Sequence, residues 1–323
     1  MPDSVPILEM RHVTKRYRVS GENSLIPRSF TAVRDVSLQV QRGETFGIVG
    51  ESGCGKSTVA RLLMCLEKPD EGEIRFDGRR IDDLPEGRRR ALRPRFQMVF
   101  QDSGSSLNPR KRVRDILREP MLRHIGKGSE WVENRVEELL AMVGLPPEMK
   151  SRYPHEFSGG QRQRVCIARA LSLDPDVVVL DEPVSALDVS VQASILNLLR
   201  DLQRQLGLTY VFIGHGLGAV RYVSRTIAVM YMGRIVELGP AETLFDRPAH
   251  PYTKALLDAA PVADDTLRGR RRTLLAGEIT AAEEAGCPLR RRCPFAEEGC
   301  LGVSGELRMI GGRQTACGRA LER

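Results

Sequence analysis

Eight residues carry the strongest chemical signal in the chain: Gly50-Glu51-Ser52-Gly53-Cys54-Gly55-Lys56-Ser57, a complete G-x-x-x-x-G-K-S. The short apolar run Thr45–Val49 precedes it and a helical pattern, Ser57 to Leu66, follows, which is the strand–loop–helix context the motif requires. Glycines there let the backbone turn tightly so that successive N–H groups converge on phosphate oxygens, and the helix N-terminus adds partial positive charge. The chemistry expected is nucleotide binding: Gly50, Ser52, Gly53, Cys54, Gly55 and Thr58 line the phosphates, Lys56 reaches the β- and γ-phosphates, and the Ser57 hydroxyl ligates Mg2+. Cys54 reads as a small residue within the loop, with redox sensing as the alternative. A second constellation is Val177-Val178-Val179-Leu180-Asp181-Glu182, a continuous apolar strand closed by two carboxylates. A strand covered on both faces reads this way, and ligands gather at the carboxyl ends of such strands. Asp181 is placed to hold Mg2+ through water and Glu182 to polarise a water attacking the γ-phosphate.

The elements that must position these groups follow from periodicity. Ile7–Val13, Ala32–Val40, Glu73–Phe76, Phe96–Phe100, Tyr210–Ile213 and Ile227–Met230 read as strands, with a polar loop over Ser20–Ser29. Val113–His124, Ser129–Val143, Gly160–Leu173 and Val191–Leu206 have helical spacing. The order predicts an α/β core with a helical block inserted at about Asp102–Ser172. After Asp246 a Pro/His-containing link, an Arg-rich stretch and a cysteine-rich tail follow.

At this point the sequence resembles the ABC ATPases, through Phe157-Ser158-Gly159-Gly160-Gln161, which stands for the family's L-S-G-G-Q signature. Physically this is a serine and two glycines at the start of a helix, a second anion-binding N-terminus. The resemblance implies a P-loop ABC fold in which Ser158, Gly159, Gly160 and Gln161 contact ATP bound to a second ATPase subunit, a sister chain or a copy of itself. It also implies that Tyr17 stacks on adenine, Gln101 senses Mg2+ and links to the helical block, Asp188 of Ser185-Ala186-Leu187-Asp188 serves as the D-loop, and His215 contacts the γ-phosphate. The family reads S/T-H-D where this chain has Gly214-His215-Gly216. Losing the Asp is expected to cost about 1 kcal/mol of local order, and the flanking glycines to loosen His215 and slow hydrolysis.

Three stretches are similar to dipeptide and oligopeptide importers in particular: Gln101-Asp102 through Ser106-Leu107-Asn108-Pro109-Arg110 to Glu119-Pro120, Arg152-Tyr153-Pro154-His155-Glu156-Phe157, and His250-Pro251-Tyr252-Thr253-Lys254-Ala255-Leu256-Leu257. This implies an ATPase domain at 1–245 and a C-terminal extension at 246–323. The activity implied is ATP hydrolysis driving uptake of peptides, or of nickel or another small solute, through two membrane permeases fed by an extracytoplasmic solute-binding protein. The alternative is a non-transport ABC protein, an accessory or assembly subunit of an enzyme complex.

The tail spacing, C-x5-C-x6-C-x16-C over Cys287, Cys293, Cys300 and Cys317, presents four thiolates, the number needed for a 4Fe–4S cluster or an all-cysteine zinc site. The absence of C-x2-C knuckles favours iron–sulfur, which some members of the resembled family hold there; thiols without metal are the remaining alternative. These cysteines lie far along the chain from the phosphate loop, so a structural or partner-docking role is expected of them.

Composition bounds the rest. With 323 residues, 41% hydrophobic and 28% charged, the chain can bury a large core. No apolar run approaches the roughly 18–20 residues that span a bilayer. The charged start, Met1 to Arg18, lacks the apolar core of a secretory signal, so the expected location is the cytoplasmic face of the membrane, held there through partners. A net charge of +7 resides in arginine clusters such as Arg88–Arg90 and Arg290–Arg292. With only 5% aromatics, none interleaved with these clusters, no nucleic-acid partner is expected.

Overall fold

Strands whose residues are apolar without alternation are buried on both faces here. Thr45–Val49, Val177–Asp181 and Thr209–Gly214 are each buried along their whole length. This computed structural model describes residues 5–19, 28–259, 275 and 286–321. In chain order the elements begin with β1 (Leu8–Val19), β2 (Arg28–Val40), β3 (Thr45–Val49), α1 (Lys56–Leu63), β4 (Glu71–Phe76), β5 (Arg79–Arg80), α2 (Glu86–Leu92), β6 (Phe96–Val99) and α3 (Ser103–Ser106). They continue with α4 (Val113–His124), α5 (Ser129–Met142), α6 (Gly159–Leu171), β7 (Val177–Asp181), α7 (Val189–Leu206), β8 (Thr209–Gly214), α8 (Leu217–Val223) and β9 (Thr226–Tyr231). Last come β10 (Arg234–Pro240), α9 (Ala241–Asp246), α10 (Pro251–Ala259), β11 (Arg308–Ile310) and β12 (Arg313–Thr315).

The chain divides into two compact units. The first takes residues 1–40, 45–83 and 214–323, the second 41–44 and 84–213. In the first, β1 pairs antiparallel with both β2 and β4, and β5 closes that sheet beyond β4. Beside it, β3 pairs parallel with β9, β9 antiparallel with β10, and β10 with the tail strand β12, itself paired with β11. The cysteine-rich tail therefore ends as strands on the sheet that carries β3. A buried ion pair reinforces that junction: Arg313 donates from Nε to Glu237 Oε1 at 3.1 Å, and the pair is 5% and 0% exposed. Backbone N–H groups of Ala249 and His250 also donate to the Glu237 carboxylate, at 2.8 and 3.0 Å. Such multiple donors offset the desolvation of a buried charge.

In the second unit β6, β7 and β8 form a parallel ladder in which Val99 faces Leu180 and Asp181 faces Ile213. Helix α4 buries Val113, Ile116, Leu117 and Met121, and α5 buries Val132, Val136, Leu139 and Leu140, the spacing of one apolar stripe on each. These two helices pack on each other and on α6.

Strand and helix expectations correspond to observed elements, with boundaries differing by up to several residues. The largest difference is β1, which runs to Val19 instead of ending at Val13. Of the loop expected at Ser20–Ser29, residues 20–27 lie outside the described residues, whereas residues 28 and 29 belong to β2. The strands β10, β11 and β12 had no counterpart in the sequence reading.

Candidate functional site

The phosphate loop sits in the first unit, between the buried strand β3 and α1. Gly53 and Gly55 adopt φ of +78° and +109°, so that the loop turns through conformations closed to most side chains. A Cβ on Gly55 would stand 2.4 Å from the Ala32 carbonyl oxygen, and one on Gly50 2.2 Å from that of Met230. The cradle thus admits only glycine at both places. Lys56 is 5% exposed and curls back over the loop, donating from Nζ to the carbonyls of Gly50 at 2.8 Å and Glu51 at 2.9 Å. Ser57 is half-buried and Thr58 buried on the first turn of α1, whereas Ser52 and Gly53 are exposed at the loop tip. This is a glycine-shaped anion cradle with a cation at its floor, and it fits a nucleoside triphosphate with Mg2+. Burial raises the Cys54 thiol above its ordinary value and Lys56 partly opposes that, so the thiol is held neutral, against a redox-sensing role.

Tyr17 lies on β1, half-buried, with its hydroxyl bonded to the carboxylate of Glu67. Burial, then that bond, raises its pKa. His215 follows β8 directly and is exposed. Gly216 occupies the N-cap of α8 at φ −79°, ψ 97°, with no side-chain cap. Glycine is itself an acceptable N-cap, only a few tenths of a kcal/mol poorer than Asp. The expected cost near 1 kcal/mol is therefore corrected downward. Nothing lies within 4 Å of a Cβ added at Gly216, so Asp fits the backbone as it stands. Gly216→Asp is expected to stabilise the loop by about 0.3 kcal/mol and to leave hydrolysis equal or faster. Thermal melting and steady-state ATPase assays check this; a large loss of activity would contradict it.

The second unit holds the acids. Asp181 is buried at the end of β7, and Glu182 follows with φ +47°, a left-handed conformation that a non-glycine residue rarely adopts. Among the bonds that hold it there, its N–H donates to the Ile213 carbonyl at 2.9 Å, and its Oε2 accepts from Gln101 Nε2 at 3.0 Å. Backbone strain of this kind is typical of functional positions. The structure thus brings Gln101 and Glu182 together, a contact the sequence did not predict. Leu107, Phe157 and the buried face of α6 pack in the same unit.

Ser158 caps α6 reciprocally: its Oγ accepts from the Gln161 N–H at 3.3 Å, and Gln161 Oε1 accepts from the Ser158 N–H at 3.0 Å. Ser158 is exposed, leaving the helix start open to a ligand, while Gly160 is buried with Val191 Cγ1 2.4 Å from where a Cβ would be. Asp188 is the N-cap of α7, accepting from the Val191 N–H at 2.9 Å and from Ser190 Oγ at 2.7 Å. The backbone bond first, then the serine, holds its carboxyl below the usual range.

Cys287, Cys293, Cys300 and Cys317 line one small pocket together with Leu289 and Phe295. Burial raises the thiols of Cys287 and Cys293, and that of Cys317 to about 11, with neighbouring cysteines adding to the shift. Among the described residues no three His, Cys, Asp or Glu side chains are grouped to hold one metal ion. The four thiols thus share a pocket but are not drawn together as ligands of a metal or cluster.

Sequence reasoning assigned no role at the phosphate loop to three residues that stand beside it, Tyr252, Arg292 and Tyr231. The Glu51 N–H donates to Tyr252 Oη at 2.9 Å, and the Glu51 carboxylate accepts from Arg292 Nη1 at 3.2 Å. Arg292 also reaches Tyr231 Oη at 3.4 Å, and the rings of Tyr231 and Tyr252 are 4.6 Å apart. Arg292 immediately precedes Cys293, so the start of the tail, far along the chain from the phosphate loop, reaches it in space. The only sequence signal was the His250-Pro251-Tyr252 stretch, whose tyrosine supplies one of these bonds.

Comparison with known proteins places these features in a family. The profile of the ABC transporter family matches residues 33–185, and that of the oligopeptide/dipeptide transporter C-terminal region matches residues 236–300. The oligopeptide transport ATP-binding protein AppF of Bacillus subtilis (strain 168) is 49% identical over 301 residues, 91% of each chain. The di/tripeptide transport ATP-binding protein DppF of Pseudomonas aeruginosa (strain UCBPP-PA14) is 44% identical over 97% of this chain and 98% of its own. Among solved structures, the ATP-binding cassette MJ0796, a dimer bound to ADP and Pi, superposes with a TM-score of 0.65 at 30% identity, covering 72% of this chain and 98% of that one. With a glycine-shaped phosphate cradle, a paired Gln101 and Glu182, and an open signature helix, the chain belongs to the ABC transporter family, among its oligopeptide and dipeptide transport ATP-binding proteins.

Proposed function

We propose that this ATPase powers import of di- or oligopeptides, or of a related small solute, at the cytoplasmic face of the membrane. Its partners in this reading are a second ABC ATPase, sister subunit or self, two integral-membrane permeases, and indirectly an extracytoplasmic solute-binding protein. Among the described residues no helix is long and apolar enough to cross a membrane, so passage of the solute falls to the permeases. The observation that carries the reading is the match of residues 236–300 to the C-terminal region of oligopeptide/dipeptide transporters, on the same chain as a complete ATP-binding cassette match. The matching relatives are transport subunits, which leaves the accessory-subunit alternative without support. In this division residues 1–245 are the ATPase domain, residues 102–172 its helical subdomain and 246–323 the extension.

Within the cycle, Lys56 leaves the carbonyls of Gly50 and Glu51 to bind the β- and γ-phosphates. Tyr17 stacks on adenine. Ser57, Gln101 and Asp181 would hold Mg2+, which would supply positive charge against the phosphates. Glu182 accepts a proton from the attacking water, Gln101 orients its carboxylate, and His215 contacts the γ-phosphate. Ser158, Gly159, Gly160 and Gln161 serve the nucleotide of the other subunit, next to Asp188. Reconstitution with the permeases in vesicles tests the function: peptide delivered by the binding protein is expected to stimulate ATP hydrolysis and to accumulate inside. Hydrolysis indifferent to permeases and peptide would overturn it.

Cys287, Cys293, Cys300 and Cys317 hold one 4Fe–4S cluster in this reading, supported by their shared pocket and their matching donor set. Anaerobically purified protein is expected to be brown, with a broad absorbance lost on changing any one of the four to Ser. Colourless protein carrying neither iron nor zinc by elemental analysis would leave four thiols without metal.

A further inference from the structure

We infer that Arg292 and Tyr252 are positioning residues of the phosphate loop, so that the C-terminal extension sets ATP affinity; this rests on the nucleotide-binding reading of that loop. The argument begins with Glu51, the residue after the first glycine of the motif. Its carbonyl accepts from Lys56 Nζ at 2.9 Å and, through the turn, from the Cys54 N–H at 3.3 Å. The orientation of its peptide unit therefore helps set both the lysine and the next N–H groups of the cradle. The extension grips this residue at two further points. Tyr252 Oη accepts its N–H at 2.9 Å, and Arg292 pairs with its carboxylate at 3.2 Å.

Neither grip belongs to a loosely held surface contact. Tyr252 is fully buried, its ring tilted at 54° against that of the fully buried Tyr231, and its pKa is raised mainly by that burial. Arg292 is 13% exposed, and its guanidinium lies 6.0 Å from the Tyr231 ring centre while Nη1 reaches the Tyr231 hydroxyl. Both gripping residues are themselves anchored. His250 accepts from the Tyr252 N–H on Nδ1 at 3.1 Å, and is held neutral by complete burial, its pKa lowered to about 3. Arg292 sits on a tight turn in which its N–H donates to the Leu289 carbonyl at 2.8 Å, and the Cys287 N–H that opens this turn donates to the Cys300 carbonyl at 2.9 Å. The path from the four-cysteine pocket to the phosphate loop is thus one residue long: Cys293 lines the pocket and Arg292 holds Glu51.

A side chain that only positions the ground-state cradle should alter nucleotide binding more than turnover. Arg292→Gln in the full chain is expected to weaken binding of a fluorescent non-hydrolysable ATP analogue about fivefold to tenfold, the scale of one ordinary hydrogen bond's net contribution. It should raise KM for ATP similarly, with a smaller change in kcat. Arg292→Lys should recover part of the loss, and Tyr252→Phe, which keeps the ring, should weaken binding in the same sense. Binding is measured well below each variant's melting temperature, so that a merely structural role would leave it unmoved. The coupling is read from a double-mutant cycle: Glu51→Gln with Arg292→Gln should be no worse than the more damaging single change. Unchanged affinity in folded Arg292→Gln and Tyr252→Phe, or fully additive effects in the cycle, would overturn the proposal while wild-type binding upholds the loop itself. A wild-type chain that fails to bind the analogue would overturn both.

Discussion

Glu182→Gln is expected to bind ATP as the native chain does and to hydrolyse it about 1,000-fold more slowly, the scale of losing a positioned general base. Glutamine keeps the shape of the side chain and can still bond Gln101, whose Nε2 donates to Glu182 Oε2 at 3.0 Å in the native arrangement. It cannot accept the proton of the attacking water. Backbone strain at this residue, φ +47°, is unaffected by the exchange, so folding should be preserved. The same variant should accumulate as an ATP-bound pair of subunits, with itself or with the sister chain, because hydrolysis is what releases the pair. Single-turnover hydrolysis and gel filtration with ATP report the two effects. Turnover near the native rate would remove Glu182 from the base's role.

Ser158→Arg is expected to leave ATP binding at the variant's own phosphate loop intact and to lower hydrolysis by about 100-fold, as for loss of one preorganised anion donor. Ser158 is exposed at the start of α6, where its hydroxyl caps the Gln161 N–H. A long cation there blocks the approach of a second subunit and removes the reciprocal cap with Gln161, at a cost of about 1 kcal/mol to the helix. Placed on the Glu182→Gln background, it should abolish the ATP-dependent pair. A pair that still forms would show that the signature helix serves no nucleotide across the interface.

Much of this chain is legible before folding because its central chemistry is local. The phosphate cradle needs two glycines, a lysine and a serine within eight consecutive positions, flanked by a buried strand and a helix, and each part leaves its mark in the order of residues. The buried strands β7 and β8 declare themselves as apolar runs, and α4 and α5 by stripes at helical spacing. The legible part stops where a residue's role depends on a neighbour distant in sequence. Gln101 and Glu182 are 81 residues apart, and no periodicity links them.

The switch-loop departure shows the same limit in a different form. From residue types alone, Gly214-His215-Gly216 reads as a loosened loop missing a cap. The backbone at Gly216 is an ordinary extended N-cap with open space around it, which reduces the expected penalty to a few tenths of a kcal/mol. Residue identity supplied the question, and φ, ψ and free space supplied its size.

What the sequence by itself determined is the nucleotide chemistry, the signature helix and the peptide-importer kinship, because contiguous motifs and periodic burial suffice for them. Only the tertiary structure decided how the tail is used. It added β12 to β10, buried Arg313 against Glu237, and set Arg292 on Glu51 across 241 residues of chain. A contact of that kind joins surfaces distant along the chain, so it leaves no spacing or pattern in the order of residues by which it could be read.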